Sequence, residues 1–325
     1  MRPLVDSFGR EFHYLRLSLE DSCNLRCLYC LPEGFQKAGK EPPLTLPEIR
    51  RLAAGLAGMG FWKVRLTGGE PAMRRDLLEI AAAVSATPGV RKVLLSTNGL
   101  RLRELAAGLK AAGVRGVNVS VDSLDPERFA RITGQDRLGA ILAGIERCLA
   151  LGLETKINVV LMRDLSELEI SRFLEMTKEL PVCVRFIELM PTAENREFFN
   201  AQRLSALGLL ALLQDQGWVE TPRQEGDGPA RIFRRDGHAG STGVIAPYSE
   251  RFCSTCNRLR VTSRGALRLC LFAEADFSLR PLLQEDCRIA ELQETVRELV
   301  GRKEVSHYLP EGRTGNLKHF AMVGG

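Results

Sequence analysis

The sequence has no long apolar run. Its first ten residues hold no stretch that would serve as a signal peptide, and its most apolar region, 204–213, is far shorter than the ~20 residues a membrane-spanning helix needs. A cytoplasmic protein without a membrane partner is the expectation. Aromatic side chains make up only 6% of the chain, are not interleaved with cations, and the net charge of +5 is spread rather than gathered into a stripe. Nucleic acid is therefore not the expected partner, while a mild positive excess suits a small anionic substrate. Nine cysteines in 325 residues are too sparse for a disulfide scaffold, and no internal repeat or low-complexity tract is present.

What is there is a pattern in those cysteines. Six of them fall into two triplets, Cys23-x3-Cys27-x2-Cys30 and Cys253-x2-Cys256-x13-Cys270. Closely spaced thiols in a reducing compartment favour metal over disulfide. Three thiolates can hold a 4Fe-4S cluster by three of its four irons, leaving the fourth open to a small molecule. A closed zinc site needs a fourth ligand, which neither triplet has nearby, although one of the four histidines could be recruited to the second. Cys148, Cys183 and Cys287 have no metal spacing and read as buried small apolar residues. The stretch Gly34-Phe-Gln-Lys-Ala-Gly-Lys-Glu41 imitates a phosphate-binding P-loop but has Glu41 where a hydroxyl should meet magnesium, so it reads as a plain loop.

Short β-branched runs at 14–19, 63–66, 92–96, 116–121, 155–161 and 182–189 alternate with stretches of helical spacing such as 47–59, 75–86, 138–151 and 166–180. The class is α/β: an incomplete (β/α)6 TIM-like barrel over residues 1–190. Residues 191–325 read as a smaller C-terminal α+β domain that carries the second triplet, with a helix near 204–214, a Gly-rich segment at 225–229, short strands near Arg231, Val244, Arg258 and Leu267, and a helix near 289–300. Polar clusters sit at the strand ends: the first triplet, Thr67-Gly-Gly-Glu-Pro71, Thr97-Asn-Gly99, Ser120-Val-Asp122 and Glu188-Leu-Met190. In a parallel barrel these open on one face, where active sites are built. Arg16, Arg65 and Lys156 lie on predicted strands, where an inward charge needs a partner, and a triphosphate would supply one. An inward salt bridge or an outward solvated face is the alternative. Arg258 and Arg260, two apart in a strand, point to one face beside the second triplet.

The run Arg16-Leu-Ser-Leu-Glu-Asp-Ser-Cys-Asn-Leu-Arg-Cys-Leu-Tyr-Cys30 resembles the radical S-adenosylmethionine superfamily. With Leu66-Thr-Gly-Gly-Glu-Pro71, Arg185-Phe-Ile-Glu-Leu-Met-Pro191, Cys253-Ser-Thr-Cys-Asn-Arg-Leu-Arg260 and the terminal Gly324-Gly325, the whole chain resembles the GTP 3′,8-cyclase (MoaA) family of molybdenum cofactor biosynthesis. The resemblance implies two 4Fe-4S clusters, on Cys23, Cys27 and Cys30 and on Cys253, Cys256 and Cys270. It implies S-adenosylmethionine held by Tyr29, Gly69, Ser120 and Met190, and GTP held by Arg16, Thr97 and the cations named above. It also gives catalytic roles to Arg16, Arg258, Arg260, Gly324 and Gly325, the last two on a tail reaching the active site. Implied partners are a reductant protein, the downstream cyclic pyranopterin monophosphate synthase and a second copy in a homodimer. Ser22 stands where the family commonly has arginine, and Leu31 where it has methionine. A peptide-modifying radical enzyme would share the first triplet but leave the barrel cations unexplained.

Overall fold

The computed structural model describes residues 3–36 and 41–324. Part of the P-loop-like stretch, residues 37–40, and Gly325 lie outside the described residues. A short hairpin, Leu4–Val5 with Glu11–Phe12, leads into strand β1 (Tyr14–Ser18). There follow β2 (Lys63–Thr67), β3 (Lys92–Thr97), β4 (Val114–Ser120), β5 (Glu154–Leu161) and β6 (Cys183–Glu188), each parallel to the one before. The connections carry helices α1 (Leu46–Ala57), α2 (Leu77–Ser85), α3 (Leu102–Ala111), α4 (Pro126–Thr133), α5 (Leu138–Ala150) and α6 (Glu167–Glu179).

Local chemistry marks where these helices begin and end. Thr45 and Glu48 form a capping box around Pro47 at the start of α1, and Ser166 accepts from the Glu169 amide at the start of α6. The unforeseen short helix α4 has its own signals: the Asp125 carboxylate accepts from the Arg128 amide, Pro126 follows it, and Gly134 ends the helix at φ 75°. It packs under the first cysteine loop.

The six strands do not stand alone. Strand β7 (Ser241–Ile245) pairs in parallel with β6, and β8 (Arg258–Val261) pairs in parallel with β1, so the C-terminal part lengthens the sheet at both edges. Antiparallel neighbours, Arg231–Arg234 on β7 and Ala266–Arg268 on β8, then continue the sheet outward. The chain also contains α7 (Arg196–Gln202), α8 (Leu207–Asp215) and α9 (Ile289–Val300). No helix among the described residues is long and apolar enough to cross a membrane.

Period-two alternation divides each barrel strand between two environments. One face is apolar and packs in the main core under the helices: Leu15 and Leu17, Val64 and Leu66, Val117 and Val119, Ile157 and Val159, Val184 and Phe186. The other face turns Tyr14, Arg16, Lys63, Arg65, Asn118, Lys156, Asn158 and Arg185 towards a cavity. An interior this polar is a binding chamber rather than a packed core. One expectation needs correcting: Cys287 is exposed, not buried, because it sits in a surface 3-10 turn just before α9, with its Sγ 3.3 Å from the Glu285 carboxylate.

Candidate active site

Cys23, Cys27 and Cys30 ride on the loop that leaves β1. The loop is pinned from two sides. On one, the amides of Arg26 and Leu28 donate to the carbonyls of Thr133 and Ile132 at the end of α4 (2.9 and 3.0 Å). On the other, the amides of Gly69 and Glu70 donate to the carbonyls of Glu20 and Ser22 (both 2.7 Å). Gly68 has φ 137°, and a β-carbon on either Gly68 or Gly69 would strike the backbone at Glu20–Ser22. These two glycines are therefore required first by the close contact of two loops. Their position on the cavity wall is a second consequence.

Glu70 ties this turn to the next rim motif. Its buried carboxylate accepts from the amides of Ala72 (2.9 Å) and Asn98 (2.6 Å) and from the Thr97 hydroxyl (2.7 Å). Asn98 in turn donates to Asn24 (2.7 Å), beside Cys23. Replacing Glu70 with alanine strands three buried donors, and denaturant unfolding is expected to show a loss of about 3 kcal/mol, with glutamine less damaging.

The first triplet lines one cavity together with Gly69, Thr97, Ser120, Asp122, Met190 and Gly324. Burial, with the neighbouring Cys23 adding to it, pushes the Cys30 thiol up to about 12, and burial also raises Cys27 and Cys23. Such a pocket tolerates thiolates only when a metal centre brings positive charge. Among the described residues no three His, Cys, Asp or Glu are gathered as ligands of one metal ion. Three thiolates without a fourth ligand in their motif are the donor set of a cluster with one open iron rather than of a closed zinc site. The Tyr29 hydroxyl donates to Asp122 (2.7 Å), and Asn195 donates to the carbonyls of Tyr29 (2.8 Å) and Met190 (3.2 Å). Thr97 is on this wall too, but its hydroxyl already serves Glu70 and the Gly99 amide.

The second triplet lines an adjoining cavity. Among the described residues on its wall, eight are Lys or Arg (Arg16, Lys63, Arg65, Lys156, Arg185, Arg258, Arg260, Lys303) and one, Asp227, is acidic. Burial would raise the Cys256 thiol, but Arg258, Lys303 and Arg260 outweigh it and bring it down to about 6. Here the protein itself supplies the charge a thiolate needs. Burial also lowers the cations, Lys63 to about 8 and Arg185 and Arg260 to about 10. The Arg185 Nε and Arg260 Nη1 are buried without a hydrogen-bond partner among the described residues. A chamber with this excess of buried cations is built for a polyanion.

The two cavities share Ser96, Asn158, Ile187 and Met190 on their walls, so they are two ends of one space. The C-terminal tail enters at this junction. The Gly324 carbonyl accepts from an Arg16 Nη, and Gly324 itself has φ 59°, with no room for a β-carbon against Thr67. Arg16, Arg65, Lys156, Arg258 and Arg260 are thus brought together on one chamber, while Tyr29, Gly69, Ser120 and Met190 stand at or beside the first triplet. Lys63, Arg185, Asn158, Asp122 and Lys303 were not foreseen as site residues. Strand parity places the first three, since Lys63 lies two before Arg65, Asn158 two after Lys156, and Arg185 two before Ile187. Lys303 follows α9 in an irregular segment and donates to the Leu269 carbonyl, with no periodic signal to reveal it.

The family model described as Radical SAM superfamily matches residues 18–177, and that described as Molybdenum Cofactor Synthesis C matches residues 182–309. The GTP 3′,8-cyclase of Stenotrophomonas maltophilia (strain R551-3) is 48% identical over 326 residues, covering 100% of both chains. That of Synechococcus elongatus is 47% identical over 327 residues with the same coverage, and that of Aeromonas hydrophila is 46% identical, covering 100% of this chain and 97% of its own. Among solved structures, Streptococcus suis SuiB bound to S-adenosylmethionine aligns with a TM-score of 0.60 at 12% identity, covering 87% of this chain and 68% of that one. Native anSMEcpe with bound AdoMet and Cp18Cys peptide aligns with a TM-score of 0.55 at 14% identity, covering 89% and 83%. Those two likenesses establish the partial-barrel fold alone. The curated relatives go further, because they are 46–48% identical to this chain over its whole length: the chain belongs to the GTP 3′,8-cyclase family of the radical S-adenosylmethionine superfamily.

Proposed function

We propose that the chain carries out its family's reaction, closing GTP to 3′,8-cyclo-7,8-dihydro-GTP as the first step of molybdopterin synthesis, with the two cavities dividing the work. The observation that carries this reading is the continuity of the cavities: a triplet at each end, and cations suited to a triphosphate in one of them. When bound, a 4Fe-4S cluster on Cys23, Cys27 and Cys30 would supply the electron and S-adenosylmethionine the 5′-deoxyadenosyl radical that removes the 3′ hydrogen of GTP, while a second cluster on Cys253, Cys256 and Cys270 would hold the guanine.

The chain's own residues bind and orient. Arg65 and Lys156, with Lys63 and Arg185 beside them, take the phosphate tail by charge-assisted hydrogen bonds. Arg258 and Arg260 alternate on β8 with Leu259, so both present guanidinium groups beside Cys253, Cys256 and Cys270, where the guanine is held. Gly69, Ser120, Met190 and the Tyr29 region line the end that receives S-adenosylmethionine. Arg16 stands between the two ends, in contact with the tail at Gly324, and is the cation placed to serve the nucleotide radical. A contact between the Thr97 hydroxyl and substrate would require it to leave Glu70. Holding both reactants in one space replaces a bimolecular encounter with an oriented one.

The reading includes an electron-donating protein at the first triplet, transfer of product to cyclic pyranopterin monophosphate synthase, and a homodimer. Anaerobic incubation with a reductant, S-adenosylmethionine and GTP is expected to yield 5′-deoxyadenosine and a cyclised nucleotide together. Formation of neither would refute it.

A further inference from the structure

Tyr14 opens β1 at the cation-rich end of the chamber and is 3% exposed. The phenol oxygen accepts from the Arg65 Nε, and the Lys63 ammonium lies 4.4 Å from the ring centroid. Among the described residues, the charged groups facing it from the surrounding strands are cations, Arg16 on its own strand, Lys63 and Arg65 on β2, Arg258 and Arg260 on β8, and Arg185 on β6, while Asp227 and the Cys256 thiol line the same chamber. Repulsion within such a group is costly unless an anion joins it. Tyr14 is placed to be such an anion for Arg65 and Lys63.

We propose that Tyr14 is a positioning residue that acts as the chamber's internal counter-anion, holding Arg65 and Lys63 until a phosphate chain takes them over, and regaining its proton as the phosphate binds. This rests on the reading of the chamber as a triphosphate site. Burial would raise the phenol, but Arg65, Arg16 and Lys63 outweigh burial and draw it down from 10 to about 7. Phenolate and phosphate oxygens compete for the same cations and repel each other. The favourable exchange is one in which phosphate takes Arg65 and Lys63 while a proton from solvent neutralises the phenol.

The sign follows from linkage. Below about pH 7 the phenol is already protonated and phosphate binds without taking up a proton; above it, one proton must be taken up, so affinity falls by up to tenfold per pH unit. Lys63, lowered to about 8, adds its own decline around that pH as it loses charge, and does so at lower pH once the Tyr14 anion that holds it up is removed. The affinity between about pH 7 and about pH 8 therefore carries both groups, and the tyrosinate signal is what reports Tyr14 alone.

Inorganic triphosphate is a suitable probe because it does not absorb in the near ultraviolet. It would be titrated into the anaerobically purified, cluster-loaded full chain, following both binding heat and the tyrosinate absorbance. Tyr29 is raised well above its ordinary value and Tyr248 to about 12, so neither adds to that band near neutral pH. The wild-type chain is expected to lose tyrosinate absorbance on binding and to bind several-fold more weakly at pH 8 than at pH 7. Tyr14→Phe, with iron content unchanged, is expected to show no such absorbance loss. A tyrosinate band that does not respond to triphosphate, or one that responds equally in Tyr14→Phe, overturns the proposal. Should Tyr14→Phe fail to fold, a fluorotyrosine at position 14, being more acidic, must move the pH break downward, and an unmoved break overturns it as well. Binding without a tyrosinate change defeats the Tyr14 role alone, whereas no binding of triphosphate to the wild type defeats the chamber reading with it.

Discussion

Cys27→Ala is expected to reduce 5′-deoxyadenosine formation to the level of a protein-free control, while Cys256→Ala still cleaves S-adenosylmethionine but yields no cyclised nucleotide. The asymmetry follows from the geometry. Cys27 lies on the loop clamped between α4 and the Gly68–Glu70 turn, at the end lined by Gly69, Ser120 and Met190. Losing one of three thiolates there removes the cluster's support, and no cysteine of the second triplet lines that cavity to replace it. Cys256 lies at the far end among Arg258, Arg260 and Lys303, where its loss disturbs the grip on the base. Product analysis with separate iron counts for each variant checks the division. Loss of deoxyadenosine in both variants would mean that the triplets do not have separate roles.

Gly324→Val is expected to lower turnover by roughly 100-fold with both clusters still loaded, since a misplacement of about 1 Å at a reacting centre has that cost. Gly324 is in the left-handed region at φ 59°, where a side chain costs about 1–2 kcal/mol, and a β-carbon would also collide with Thr67. The tail would have to leave, taking with it the carbonyl that accepts from Arg16. Turnover compared with iron content, and with S-adenosylmethionine cleavage in the absence of GTP, separates a displaced tail from a damaged cluster. Unchanged turnover would mean that the docked tail has no part in the reaction.

The six β/α units and the rim motifs were legible because alternating strands and capped helices write their period into the sequence, and because cysteine spacing survives any uncertainty in strand boundaries. Arg16 and Arg65 were legible as buried charges in need of a partner. What single strands do not disclose is company. Lys63 and Arg185 are ordinary strand cations until parity and pairing put them on the same wall as Arg65 and Lys156. The roles of β7 and β8 as edge partners of β6 and β1 were hidden as well, because pairing between distant strands leaves no local mark. Gly69 was expected as a contact of S-adenosylmethionine, whereas the structure first requires the smallness of Gly68 and Gly69 against the Glu20–Ser22 backbone. Tyr14 passed as a strand residue because its significance lies wholly in its neighbours.

The pairing of β8 with β1 also bears on how the chain reaches its folded state. The residues that meet at that seam are far apart in sequence: His13 and Asn257, in contact just before the two strands, are separated by 244 positions. During synthesis β1 therefore waits as an unpaired edge until most of the chain has been made, and β6 waits for β7. Parallel pairings of such high contact order are slow to form, and exposed edges invite pairing with other chains. A chain ending before β7 would keep both edges permanently open, so truncation is predicted to promote aggregation rather than yield a smaller working barrel.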